Sequence, residues 1–238
     1  VRGLLSKTRA DDLLVHAIKS VLIASDVSEE INKNIDDIIV GCAMPEGPQG
    51  LNIARIATLL AGLPDSTPAY TLNRFCSSGL QSVSNAADLV KSGSADLVIA
   101  AGVESMSSVP MTGFKPSMNP KILSDENISI AYGMGLTAEK VVQKYNISRE
   151  AQDEFAIRSL TRAKTADEDG SFKSEVTPVT FKYRKVETVV EQDEQPLTDD
   201  LDKIPKLRPD FTTVGKVTAE TSSSIYTGAT GSIARRER

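Results

Sequence analysis

Apolar residues Leu13, Leu14, Ala17, Ile18, Val21 and Leu22 recur at helical spacing and predict an amphipathic helix, with Thr8 and Asp11 offering a capping pair ahead of it. Ile38-Ile39-Val40-Gly41-Cys42 is a short β-branched run closed by the turn-rich Pro45-Glu46-Gly47-Pro48, the pattern of a buried strand feeding a loop. A second helix is predicted over Asn52 to Leu60 and a brief strand over Pro68 to Leu72. After Cys76, residues Leu80, Val83, Ala87 and Val90 fall on one helical stripe that ends at Lys91-Ser92-Gly93, a common helix stop. Leu97-Val98-Ile99-Ala100-Ala101 supplies another wholly apolar strand. Strands that are apolar on both faces and alternate with helices predict an α/β fold, a sheet covered by helices.

From Ser107 the texture changes to irregular sequence with Pro110, Pro116 and Pro120 closely spaced. Helical patterns follow over Thr137 to Tyr145 and Ser148 to Ala166, then a β-leaning stretch from Val176 to Val190 and the acidic Glu191 to Asp202. The reading is an α/β domain over 1–106, an inserted substrate-facing loop subdomain over 107–217 and a return segment over 218–238, with no internal repeat.

A chain of 238 residues, 40% hydrophobic and 25% charged, can bury a sizeable core. Its net charge of −5 and pI of 5.1 provide no basic field for a duplex, so nucleic acid is excluded as an expected partner. The longest apolar stretch lies within Ala95 to Val103, well short of the roughly 18 residues of a membrane span. Val1 opens the sequence without a charged-then-apolar leader, so the expected compartment is cytoplasmic, or an organellar matrix if a targeting segment precedes it. Two cysteines make no disulfide framework. No His, Cys and carboxylate set has metal-ligand spacing, and neither a metal nor a redox cofactor is expected.

Cys76 falls at a predicted strand-to-helix junction. A thiol attacks as thiolate, and the unpaired amides of a helix start stabilise that charge. Ser77, Ser78 and Gly79 keep the first turn small, leaving room for a carbonyl to approach and the Cys76 amide free to donate to an oxyanion. Spacing alone leaves a second reading open, an inert small residue packed at a helix start. Cys42, at the end of an apolar strand, reads as core. The single histidine, His16, lies opposite the apolar stripe of the first helix and reads as a solvent-facing residue, so this chain lacks an evident base for Cys76.

The run Asn73-Arg74-Phe75-Cys76-Ser77-Ser78-Gly79-Leu80-Gln81-Ser82-Val83 resembles the nucleophile motif of the thiolase family, and Gly102-Val103-Glu104-Ser105-Met106-Ser107 resembles the family's next signature. Tyr132-Gly133-Met134-Gly135-Leu136-Thr137-Ala138-Glu139, Ser148 to Ala156, and Lys206-Leu207-Arg208-Pro209 before Phe211 continue the match in order. The resemblance implies a ping-pong acyltransferase in which Cys76 takes an acyl group from one acyl-CoA and passes it to a second CoA thiol or to an acetyl-CoA carbanion. Coenzyme A is then a substrate and not a bound cofactor. Met134 matches the position lining the pantetheine and acyl pocket; a core Met before a helix is the alternative. Ser223 matches a CoA-contacting serine, and a surface loop hydroxyl is the alternative. Gly133 stands where acetoacetyl-CoA-specific members often carry His, which favours cleavage of 3-ketoacyl-CoA in fatty-acid β-oxidation over the acetoacetyl-CoA-forming reaction.

The resemblance further implies two similar α/β domains in αβαβα layers, assembled as homodimers or homotetramers, of which this chain carries the N-terminal half. The chain joins the pattern after the family's first strand. Glu220-Thr221 stands for the family's Gly-Asn, removing easy access to positive φ, and the closing Ile233 to Arg238 does not read as the apolar strand expected there. The family's second half would bring the activating histidine and a second cysteine, so the chain alone is expected to be inactive and, with an apolar face uncovered, to self-associate. Two rivals are a condensing enzyme of fatty-acid or polyketide synthesis, whose Cys stands in a different motif, and a non-catalytic acyl-CoA-binding module.

Overall fold

The computed structural model describes residues 3–25, 34–124, 133–195 and 200–236; Val1, Arg2, Tyr132, Glu237, Arg238 and residues 196–199 of the acidic stretch lie outside them. In chain order the helices are α1 (Ala10–Ala24), α2 (Ile53–Leu60), α3 (Ser78–Ser92), α4 (Pro120–Ser124), α5 (Met134–Tyr145) and α6 (Arg149–Glu168). The strands are β1 (Asp37–Gly41), β2 (Ala69–Leu72), β3 (Leu97–Ser105), β4 (Val179–Tyr183), β5 (Val186–Val190) and β6 (Thr227–Arg235). Two compact units form, one from Val1–Lys115, Thr177–Glu191 and Ile225–Arg238, the other from Pro116–Val176 and Gln192–Ser224.

The first unit is built on a four-stranded sheet in the order β2-β1-β3-β6. β1 runs parallel to both β2 and β3, with Gly41 opposite Leu72 on one side and Gly102 on the other, and β6 is antiparallel to β3. Period-two alternation sorts the strand residues between two cores. Ile38, Val40, Ile99 and Ala101 pack in one cluster with Leu14 and Ile18 of α1 and Ile53 and Ala57 of α2. Ile39, Val98 and Ala100 pack in the other with Ala86 of α3. Both faces are covered, which is why these strands are apolar throughout. The β-leaning stretch forms the antiparallel hairpin β4–β5, turned by Arg184 and Lys185 at positive φ.

Four expectations change. Arg9, extended at φ −69° and ψ 144°, takes the N-cap position of α1, its carbonyl accepting from the Leu13 N–H at 3.1 Å and its guanidinium donating to both Asp11 oxygens at 2.9 and 2.7 Å; the Thr8 hydroxyl is buried without a partner among the described residues. The face that α3 buries is Ser78, Ser82 and Ala86, while Leu80 and Val83 stand exposed at 74% and 45%. The small face wins because the helix approaches the sheet closely: a Cβ at Gly41 would lie 2.5 Å from the Ser78 carbonyl oxygen and 2.6 Å from the Gly79 nitrogen. The C-terminal residues Ile233 to Arg235 do form a strand. The edge of β3 offers a full ladder of partners, and Ala229 and Ile233 pack on one core while Ala234 packs on the other. His16, expected in solvent, is half-buried with Nε2 3.5 Å from the Ser20 hydroxyl.

In the second unit, Asn146 at φ 51° closes α5, and the Ser148 hydroxyl caps α6 by accepting from the Ala151 N–H at 3.1 Å. Arg149 Nε meets both Asp153 oxygens at 2.9 Å while another guanidinium nitrogen donates to the Ile204 carbonyl. The Glu139 carboxylate gathers the backbone N–H groups of Lys216 and Val217.

Candidate active site

β1 and β2 end side by side, and the segments that leave them carry the two cysteines. The Cys42 N–H still donates to the Leu72 carbonyl at 3.0 Å, so Cys42 is held at the sheet and is 1% exposed. Cys76 lies further along, in the short 3-10 turn Phe75–Ser77 between β2 and α3, and is a free, exposed thiol. The carboxyl ends of parallel strands are where an α/β sheet leaves room for ligands.

The Cys76 turn is closed by two side chains. Asn73 Oδ1 accepts from the Phe75 N–H at 2.7 Å, and the Ser78 hydroxyl accepts from the Arg74 N–H at 2.9 Å while donating to the Phe75 carbonyl at 2.6 Å. Phe75 takes φ 47°, a left-handed conformation that a non-glycine residue keeps only where its surroundings enforce it. Among the described residues no acceptor is paired with the Cys76 N–H. Gly41 supplies the space that lets the first turn of α3 sit against β1, and with it the turn that bears Cys76.

Around Ala43 and Met44 lies a polar cluster to which sequence reading gave no role, although Glu104 and Ser105 stand in the signature over Gly102 to Ser107. Glu104, near the end of β3, accepts from the Ala43 N–H at 2.6 Å with one oxygen and from Gln49 Nε2 at 2.6 Å with the other. Gln49 is wholly buried; its amide also donates to the Met44 carbonyl at 2.8 Å, and its carbonyl accepts from the Ser105 N–H. The Cys42 thiol points at Glu104, 3.9 Å away. Burial, with the neighbouring Glu104 charge, pushes the Cys42 thiol up to about 12, so it stays protonated and inert at neutral pH. Its place in that signature and at the end of an apolar strand was the available signal for Glu104, and Gln49 gave none beyond its place in a turn.

The two remaining candidates lie in the second unit. Met134 opens α5 after Gly133, whose carbonyl accepts from the Thr137 hydroxyl at 3.2 Å, and its side chain is 74% exposed. An exposed Met is not the core residue that the alternative reading required. Ser223 is exposed, its hydroxyl 3.3 Å from the Ser224 carbonyl. The turn before it does not require a glycine: Glu220 is not among the positive-φ residues, and Thr221 Oγ1 accepts from the Thr218 N–H at 2.8 Å while Ser222 donates to the Thr218 carbonyl. Among the described residues no group of three or more His, Cys, Asp and Glu side chains is arranged to hold a metal, and no helix is long and apolar enough to cross a membrane.

Comparison with known proteins places this geometry. The 3-ketoacyl-CoA thiolase of Bacillus subtilis is 43% identical over 239 residues, covering 96% of this chain and 60% of that protein. The acetyl-CoA acetyltransferase of Syntrophomonas wolfei is 39% identical over 210 residues, covering 83% of this chain and 53% of that protein. The crystal structure of the Bacillus anthracis acetyl-CoA acetyltransferase superposes with a TM-score of 0.80 at 34% identity, over 97% of this chain and 60% of that one. The chain thus spans between half and two thirds of the length of these relatives. The family model for the thiolase N-terminal domain matches residues 1–238, and the chain belongs to the thiolase family.

Proposed function

We propose that this chain carries the nucleophile of a CoA-dependent acyltransferase that cleaves 3-ketoacyl-CoA, with Cys76 as the acyl acceptor. The observation that carries the reading is the contrast at one sheet end: Cys76 is exposed on a held turn, and Cys42 is buried. In the first half-reaction the Cys76 sulfur attacks the 3-keto carbon, the bond between carbons 2 and 3 breaks, and the electron pair leaves with acetyl-CoA, which takes up a proton. The shortened acyl group stays on sulfur as a thioester until a CoA thiolate attacks it, releasing a shortened acyl-CoA and the Cys76 thiolate. The Cys76 N–H is the donor this chain offers to the oxyanion formed on the way.

Met134 is the proposed wall of the pantetheine and acyl pocket, and Ser223 a proposed CoA contact. The absence of an imidazole at Gly133 supports the degradative, β-oxidation direction over formation of acetoacetyl-CoA. The resemblance assigns the proton donor and acceptor to a histidine and a cysteine of the family's second half, beyond the N-terminal domain matched here. Assembly as a homodimer or homotetramer belongs to the same proposal.

Alkylation by bromoacetyl-CoA, followed by peptide mapping, tests the reading. Expected is labelling of Cys76 and not Cys42, slowed by excess free CoA. Equal labelling of both thiols, or labelling that CoA does not slow, overturns it.

A further inference from the structure

We propose that Glu104 is a positioning residue for Cys76, acting through Ala43 and Asn73. The inference rests on Cys76 being the acyl acceptor. The backbone ladder between β1 and β3 ends at Gly41 opposite Gly102, so beyond that point side chains and not sheet bonds tie the two strand ends together. Three backbone polar groups of the segment leaving β1 are held by side chains: the Ala43 N–H by Glu104 at 2.6 Å, the Ala43 carbonyl by Asn73 Nδ2 at 2.9 Å, and the Met44 carbonyl by Gln49 at 2.8 Å. Gln49 in turn donates to Glu104, so two of the three anchors depend on that carboxylate.

The Asn73 side chain turns this anchoring into a setting of the Cys76 turn. Its nitrogen donates to Ala43 and its oxygen accepts from the Phe75 N–H at 2.7 Å, at the residue held at φ 47° immediately before Cys76. With its nitrogen committed to a fixed carbonyl, the amide has one orientation, and its oxygen has one place. Free rotation of that amide would release the Phe75 N–H and let the strained turn relax. Two oxygens are needed at position 104, one for Ala43 and one for the amide donor of Gln49. A glutamine there meets the Gln49 amide donor to donor.

The experiment measures the second-order rate of Cys76 alkylation by bromoacetyl-CoA and by iodoacetamide in the 238-residue chain. Glu104→Gln and Asn73→Ala are each expected to slow both by about tenfold, and the double variant to be no slower than Asn73→Ala alone, because groups acting in series are not additive. Effects that multiply, or a Glu104→Gln rate equal to wild type, overturn the relay. The exchanged pair Gln49→Glu with Glu104→Gln keeps an acceptor for the Ala43 and Ser105 N–H groups and a donor between the two side chains, and replaces the bond to Met44 by a carboxylate oxygen facing that carbonyl. It is expected to return to within about threefold of wild type. Should Glu104→Gln fail to fold, the exchanged pair alone decides: a loss as large as that of Asn73→Ala overturns the proposal. A wild-type chain whose Cys76 bromoacetyl-CoA leaves unlabelled defeats the acyl-acceptor reading, while the iodoacetamide rates still test the relay.

Discussion

Cys42 and Cys76 leave neighbouring parallel strands at the same end of one sheet, yet one is core and the other stands free. Cys42 is still within the sheet's hydrogen bonding, facing a carboxylate in a buried polar cluster, and burial makes it a weak acid. Cys76 has been carried past the strand by a turn that spends two side chains, Asn73 and Ser78, on holding its own backbone. Residue type is identical, so reactivity here is set by backbone placement and by what each thiol faces.

The contrast breaks most completely in Cys76→Ala, where CoA-competed labelling by bromoacetyl-CoA is expected to vanish, with Cys42 still unlabelled in the folded protein; mass mapping reads both. Next is Gly41→Ala. The added methyl meets the Ser78 and Gly79 backbone, which cannot give way as a flexible side chain would, so denaturant melts should show a loss of about 3 kcal/mol. Cys76 labelling should fall in the protein that remains folded.

The third is a pH dependence. Folding raises the Cys42 thiol from its ordinary value of 9.0 to about 12, so in that window the unfolded chain gives up the proton and the folded chain keeps it. Its contribution is intact below pH 9 and is lost as pH rises toward 12. Cys42→Ala should flatten that part of a stability profile measured by urea melts, and Cys42 alkylation in the native protein should appear only at the upper end of the window. The smallest effect is Ser78→Ala, which leaves the Arg74 N–H and the Phe75 carbonyl without their shared partner. A loss of about 1 kcal/mol is expected, with a few-fold change in Cys76 labelling and none in Cys42.

Much of this was legible along the chain. The apolar runs at Ile38, Pro68 and Leu97 and the stripe from Leu13 to Leu22 gave the sheet and its first helix, because period-two and period-3.6 burial leave a local signature. Cys42 as core followed from its strand, and the motif around Cys76 fell at the strand-to-helix junction where the structure has it. The first turns of α3 were misread, since Leu80 and Val83 suggest a packed stripe while the buried residues there are Ser78, Ser82 and Ala86; Val90 of the same stripe does pack on the core. The terminal strand was misread too, since its residues are weakly apolar and its partner β3 is distant in sequence.

By itself, then, the sequence determined the helices and strands of the core other than β6, the α/β class and the family, all of which are written in local periodicity and in contiguous motifs. Only the tertiary structure decided that Cys76 stands exposed and not packed, which face of α3 is buried, and that Glu104, Gln49 and Asn73 meet around Ala43 and Met44. Those outcomes depend on contacts between residues far apart in the chain, where backbone approach at Gly41 and the pairing of single donors with single acceptors leave no periodic trace.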